Sequence, residues 1–317
     1  MKRLIALLTL VQELGVGTFC ADRRRERRAL KPPIVGLATL LGFPIQPAAA
    51  DSFFFSTGNP NGLIATLSRT ASTGKLETET ADDFITTAPT VITSATFTGL
   101  LIGGATPANV SDVEIELYHV FPVDSVNPPD GHVVTRTNSP SDNNFAGADG
   151  NLGQLSFTTT VLNPTFTAAN SVINGIHPQP NQFTGGEGPV TGEEVQFNVT
   201  FTTPLTLGPD HVFFRPEVDL GSAGDFLWLS APKPIVSPGT PFTPDLQSWI
   251  RNDGPGGLAP DWERIGTDVT HQGPFNAAFS LSGHTVSAGV PEPATLALMA
   301  LGLAGIGCAS RKRRKLI

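Results

Sequence analysis

Cysteine is nearly absent from this 317-residue chain, which holds only Cys20 and Cys308, each inside a hydrophobic segment near one end. The body of the protein, residues 51–289, therefore has no cysteine. This absence excludes disulfides, cysteine nucleophiles and cysteine-ligated zinc from the body. It is compatible with export into an oxidising compartment.

Positive charge is also scarce in the body, where seven Lys and Arg face 24 Asp and Glu, a formal charge of −17. The other 13 basic residues lie in residues 1–50 and 311–315. Because binding of nucleic acid phosphates needs a basic face, we expect no nucleic acid partner. Only 15% of the chain is charged, with 33 Gly and 28 Pro, which favours a folded, loop-rich domain over a disordered chain or a coiled coil.

Catalytic motifs are missing as well. The six histidines are scattered singly, without the H-x-H or H-E-x-x-H spacing of a zinc site. No G-x-S-x-G occurs, and Gly221-Ser222-Ala223-Gly224 misses that spacing by one residue. Glycoside hydrolysis needs two suitably placed carboxylates. The body has 24 Asp and Glu, so the presence of a suitable pair does not indicate a glycosidase. We therefore predict a protein that is not an enzyme and needs no cofactor.

The N-terminal 50 residues are predicted to be a signal region. Residues 23–50 hold a basic stretch up to Lys31, an apolar stretch from Ile34 to Ile45, and Ala48 and Ala50 at an A-x-A cleavage site. We expect signal peptidase to cleave after Ala50. A second apolar run, residues 1–20, precedes this signal, which indicates a start codon placed too far upstream or an unusually long basic region.

The C-terminal residues 290–315 combine three features in order. A Val290-Pro291-Glu292-Pro293 motif comes first. The apolar residues 294–309 follow, predicted as a hydrophobic transmembrane helix of about 24 Å. A basic cluster then acts as a cytoplasmic stop: Arg311, Lys312, Arg313, Arg314 and Lys315. The prolines flanking Glu292 keep the acid in an extended segment, because neither joins a helix or a sheet ladder.

This tail of about 28 residues closely resembles the PEP-CTERM sorting signal of exported proteins in Gram-negative, biofilm-forming bacteria. The resemblance implies an inner-membrane-held precursor and an exosortase, an integral-membrane protease that removes the tail near the Pro-Glu-Pro motif. The alternative is a plain membrane anchor that is never processed. In either case the resemblance says nothing about the rest of the chain.

The body is predicted to be all-β. Period-2 alternation recurs through residues 51–282, most clearly in Val113–Val120 and Val195–Phe201, and no segment between the termini shows a helical period. Short strands separated by Gly, Pro, Asn and Asp favour one two-sheet β-sandwich, jelly-roll-like in type. Residues 283–290 are expected to be a linker.

Three features of the body are candidate sites. Trp228, Trp249 and Trp262 pack in the core or, alternatively, stack on sugars. The oxygen-rich loop with Asp142, Asn144 and Asp149 is a weak calcium candidate, since Asx and Gly clusters are usually turns. Glu114 and Glu116 share one strand face and repel each other unless they are solvated or bridged by a cation.

The sequence therefore predicts an exported cell-surface or extracellular-matrix protein with a non-catalytic, acidic β-sandwich, associated with exopolysaccharide or biofilm. A carbohydrate-binding module that uses the tryptophan region is the second hypothesis. A secreted glycan hydrolase is the third.

Overall fold

The protein is described by a computed structural model that covers residues 50–72, 74–121, 137–174, 183–253 and 262–286. Its strands are β1 (Ser52–Ser56), β2 (Ile64–Leu67), β3 (Glu77–Thr86), β4 (Thr90–Ile102), β5 (Asp112–His119), β6 (Ala146–Asp149), β7 (Leu155–Ala168), β8 (Asn170–Val172), β9 (Val190–Leu207), β10 (Asp210–Asp219), β11 (Asp225–Ala231), β12 (Trp249–Asp253), β13 (Glu263–Arg264), β14 (Asn276–Ala277) and β15 (Phe279–Thr285). A 3₁₀ turn (Pro107–Asn109) and a π-helical turn (Ile265–Val269) accompany them.

The strands form two sheets. The nine-stranded sheet has the order β1-β15-β4-β11-β2-β8. Outside this order, β9 also pairs with β4, β7 pairs with β9, and β14 pairs with β11. The six-stranded sheet has the order β13-β12-β3-β10-β5-β6. All pairings are antiparallel except β2 with β8. The predicted all-β, two-sheet architecture is confirmed.

The main core lies between the two sheets, because alternating residues of each strand turn inward. From β9 these are Val195, Phe197, Val199 and Phe201, as the sequence alternation predicted. Phe97 of β4 stacks on Phe197 with ring centroids 4.8 Å apart. Each such side chain contributes about 1.5–3 kcal/mol through burial.

The outer face of the six-stranded sheet is also covered. Phe213 and Tyr118 alternate with core residues and so point away from the main core, yet both are buried. They form a separate apolar cluster with Ala81, Trp249 and Trp262, and Trp262 Nε1 donates to the carbonyl of Ser141 at 3.3 Å. Strand β3 is consequently buried at eight of its ten positions. The polar residues of β3 that would face solvent if only one face of the sheet were covered are therefore buried.

Several elements differ from the sequence expectations. β3 spans Glu77–Thr86, whereas the sequence pattern predicts a strand only at residues 82–85. β6 and β8 lie within residues 140–151 and 163–189, which the sequence pattern predicts as long loops. The alternating Glu and Thr at the start of β3 look like a solvent-exposed segment in the sequence. The local sequence does not reveal that other segments of the chain cover the outer face of this strand. β15 continues to Thr285, so the predicted linker begins inside the strand.

Some expectations fall outside the described residues. These are the signal region up to Ala49, all but the last residue of a strand that the alternation predicts at residues 133–137, and the whole of the sorting signal with its transmembrane helix at residues 294–309. Within the described ranges, no helix has the length and apolarity needed to cross a bilayer.

Candidate functional site: buried carboxylates on the six-stranded sheet

Five glutamates and two arginines lie together on the outer face of the six-stranded sheet. Alternation places Val113, Ile115 and Leu117 of β5 in the main core, so Glu114 and Glu116 point to the opposite face. The register then sets Arg215 of β10 opposite Glu116, and Glu217 opposite Glu114. We call the following set the carboxylate cluster: Glu77, Glu79, Glu114, Glu116, Glu217, Arg215 and Arg251.

Arg215 occupies the centre of the carboxylate cluster with a side chain that is only 2% exposed. Its Nη1 lies 2.5 Å from Oε2 of Glu217 and 3.8 Å from Oε1 of Glu77. Its Nη2 lies 3.3 Å from Oε1 of Glu79 and also contacts Glu116. One guanidinium therefore forms ion pairs with four carboxylates from three neighbouring strands, β3, β10 and β5.

Arg251 of β12 closes one side of the cluster. It contacts Glu79, the residue opposite it in the register, and its Nη1 donates to the carbonyl of Asp142 at 3.0 Å. Its guanidinium lies over the ring of Trp262, 4.5 Å from the centroid, a cation–π geometry. The Tyr118 hydroxyl lies within hydrogen-bond reach of both Glu79 and Glu116. These contacts fix the glutamates in place.

Burial is the largest influence on the pKa values of the glutamates in the cluster, and the two arginines oppose it to different extents. Burial raises the pKa of Glu114 to about 7, and Arg215 offsets only part of that effect. Burial also raises the pKa of Glu217 well above its ordinary value, despite Arg215. For Glu79 burial acts in the same direction, but Arg215 and Arg251 outweigh it and its pKa is lowered. Oε1 of Glu217 has no hydrogen-bond partner among the described residues.

A second buried group of acids lies at the other end of β3. Asp82 accepts the Ala277 N–H at 2.7 Å, and Asp83 accepts the Leu246 N–H at 3.0 Å and lies 2.6 Å from His211 Nε2. Lys233 Nζ lies 2.8 Å from Oδ1 of Asp245. A cavity of about 410 Å³ adjoins them, lined by Lys233, Pro234, Ile235, Pro241, Phe242, Thr243, Asp245 and Pro274.

The three tryptophans do not form a binding surface. Trp228, Trp249 and Trp262 are 0%, 1% and 0% exposed. Trp228 lies in the main core, where its Nε1 donates to the carbonyl of Ala278 at 2.9 Å, and the other two lie in the outer apolar cluster. The hypothesis of sugar stacking on these rings is therefore wrong, because no ring face is open to a ligand.

The candidate calcium loop lies beside the carboxylate cluster, and its residues have separate partners. Asn144 Nδ2 donates to Glu116 at 2.6 Å, and the Asp142 carbonyl accepts from Arg251. Asp149 of β6 faces Glu114 in the register and accepts the Leu152 N–H at 3.2 Å. The acids that do lie within coordinating reach of one another in the described part are Glu77, Glu79 and Glu217.

Sequence reasoning missed that trio, because Glu217 of β10 lies far along the chain from Glu77 and Glu79 of β3. The shared face of Glu114 and Glu116 was the available signal, and the structure confirms it. The sorting motif Val290, Pro291, Glu292 and Pro293, the basic cluster and Ala48 lie outside the described residues, while Ala50 is exposed.

We predict that Asp82→Asn flattens the pH dependence of stability. Burial and the neighbouring Asp83 raise the Asp82 pKa, against the opposing effects of the Ala277 N–H and Lys233. The native state thus holds a proton that the unfolded chain releases, and the free energy of unfolding falls as pH rises above the ordinary carboxyl range. The slope is about 1.4 kcal/mol per pH unit for each such proton. Urea unfolding between pH 5 and 8 measures it.

Asp225→Asn is the matched control. Although burial raises the pKa of Asp225, contacts with Lys75 and Arg69 outweigh it and the pKa is lowered, so Asp225 stabilises the protein at neutral pH and loses that effect in acid. We expect this variant to lose stability at pH 7 and to keep the descending slope of the parent. Identical slopes in Asp82→Asn and the parent contradict the assignment.

Comparison with known proteins identifies the chain end. Residues 289–314 match the family model of the PEP-CTERM protein-sorting motif, which coincides with the tail predicted at residues 290–315. No curated protein and no solved structure gives a significant match to the chain. The sorting signal implies a protein that is exported across the membrane to the cell surface and processed by an exosortase.

Proposed function

We propose that the mature protein is a non-catalytic component of the cell surface or extracellular matrix of a Gram-negative bacterium. The observation that carries this proposal is the sorting motif at residues 289–314, which follows the last strand of the sandwich, β15, within a few residues. Signal peptidase releases the N-terminus, the C-terminal helix holds the precursor in the inner membrane, and the exosortase then removes the tail.

The chemistry of the buried acids supports a structural rather than a catalytic role. General acid–base catalysis needs a carboxyl group within reach of a substrate. Glu79 and Glu217 are buried and contact Arg215 or Arg251, and Asp82 is buried against the Ala277 N–H. Burial, rather than a bound substrate, accounts for the raised pKa values of Glu217 and Asp82.

For contact with exopolysaccharide we propose the outer face of the nine-stranded sheet. The register aligns two rows of exposed or half-buried residues across five strands, β1, β15, β4, β9 and β7. One row is Phe54, Ser282, Ser94, Thr200 and Ser156, and the next is Ser56, Ser280, Thr96, Asn198 and Thr158.

None of these ten side chains is charged, although the body as a whole is strongly acidic. A groove of about 270 Å³ adjoins these rows, and its lining includes Ser56, Thr96, Thr98, Gln196 and the apolar Phe54 and Leu162. Hydroxyl and amide groups match the hydroxyl groups of a neutral sugar, and the ring of Phe54, 57% exposed, offers a stacking surface. We therefore propose a neutral polysaccharide as the partner.

Processing is tested by the intact mass of the native protein. We expect the mature chain to begin at Asp51 and to end near the Pro-Glu-Pro motif, without the hydrophobic and basic tail, in cells with an exosortase. Glu292→Ala should retain the tail, because the motif is lost, whereas the nearby Ser287→Ala should be processed normally. A tail that persists in the parent, or a Glu292→Ala protein that is processed like the parent, contradicts the proposal.

Polysaccharide contact is tested by affinity electrophoresis in gels that contain the neutral polysaccharide secreted by the producing strain. We expect Phe54→Ala to lower the affinity for the polysaccharide about fivefold, since one aromatic contact is worth about 1 kcal/mol. The lower affinity is measured as weaker retardation in the gel. Leu152→Ala, which also truncates an exposed apolar side chain, should leave retardation unchanged. Equal retardation of the parent and Phe54→Ala excludes this face.

A further inference from the structure

Three carboxylates of the cluster are spaced for a single metal ion. One oxygen from each of Glu77, Glu79 and Glu217 lies within 4.8 Å of the other two. Calcium binds oxygen at about 2.3–2.6 Å, so ligands on opposite sides of one ion are separated by up to about 5 Å. The spacing of the trio therefore allows one ion to reach all three oxygens.

Glu217 provides an independent indication of a ligand. Its side chain is fully buried, and neither carboxylate oxygen makes a hydrogen bond among the described residues. Oε2 lies 2.5 Å from Nη1 of Arg215, which leaves Oε1 as the oxygen without a described partner. A buried carboxylate oxygen without a partner is costly, and native structures almost always satisfy such groups with protein, water or an ion. This oxygen belongs to the residue that lies within coordinating distance of Glu77 and Glu79.

The charge of the cluster favours a divalent ion. Among the described residues, the five glutamates and two arginines of the carboxylate cluster carry a formal charge of −3 when all are ionised. A divalent cation reduces this to −1. Carboxylate oxygens select hard cations such as calcium and magnesium over softer metals.

The trio is accessible from one side. Glu79 and Glu217 are enclosed, but the Glu77 side chain is 28% exposed and lies at the first position of β3. An ion can thus approach along Glu77 and lose its water as it reaches the two buried carboxylates. A partly hydrated calcium ion tolerates such an irregular site, because its coordination number varies from six to eight.

We propose that Glu77, Glu79 and Glu217 bind one divalent cation of the calcium type. The ion links β3 to β10 on the outer face of the six-stranded sheet and acts beside Arg215 as a second positive centre. The cation site does not depend on the sorting signal or on the polysaccharide face, so the failure of either of those proposals does not affect it.

The test is calorimetric titration of calcium chloride into the processed protein, purified from cells and treated with a chelator. We expect one site with a dissociation constant of about 0.1–1 mM, as in extracellular modules, and a rise in melting temperature with calcium. Glu217→Gln removes one ligand charge and should weaken binding at least about tenfold. Glu77→Gln, which changes the most exposed of the three ligands, should weaken it in the same direction.

Glu194→Gln is the matched control, because Glu194 is a buried glutamate on the nine-stranded sheet, away from the trio. Its affinity for calcium should equal that of the parent. Sodium chloride at equal ionic strength should not reproduce the rise in melting temperature. The proposal is overturned if the parent shows no binding at several millimolar calcium, or if Glu217→Gln and Glu77→Gln bind as the parent does.

Discussion

The buried guanidinium of Arg215 is the interaction on which the six-stranded sheet depends. It contacts carboxylates from β3, β5 and its own strand, and it is enclosed on all sides. Removing one partner of a buried ion pair is far more costly than the pair is worth, because an uncompensated charge remains. Arg215 thus makes it possible for this sheet to carry glutamates on a face that the chain then covers.

The two outer faces of the sandwich differ in what covers them. On the six-stranded sheet, segments around Ser141 and Trp262 lie over the strands, and the alternating polar residues become a buried network. On the nine-stranded sheet the rows that contain Phe54 and Thr96 stay open and carry hydroxyl groups rather than charges. One face is therefore suited to holding the fold together, and the other to contact with a partner.

The sequence was sufficient for features that depend on local pattern. Alternation in Val195–Phe201 correctly predicted an inward-facing strand, and the tail at residues 290–315 was recognised because its three parts are contiguous. The shared face of Glu114 and Glu116 was also predictable from the strand period.

The carboxylate cluster as a whole was not predictable, because it depends on long-range pairing. Arg215 meets Glu116 and Glu79 only through the register of β10 with β5 and β3. The burial of Trp249 and Trp262 likewise depends on loops that fold over the sheet, which a single strand does not reveal. For this reason Trp262, one of the three rings of the alternative sugar-stacking hypothesis, instead packs against Arg251.

A double-mutant cycle between Arg215 and Glu217, followed by urea unfolding at pH 7, tests the central role of the buried guanidinium most directly. We expect Arg215→Met alone to lower the free energy of unfolding by about 3–5 kcal/mol, because several carboxylates are left without their counter-charge. Combined with Glu217→Gln the loss should be smaller, with a coupling energy above about 1 kcal/mol. A loss below about 0.5 kcal/mol for Arg215→Met, or strict additivity of the two changes, contradicts the account.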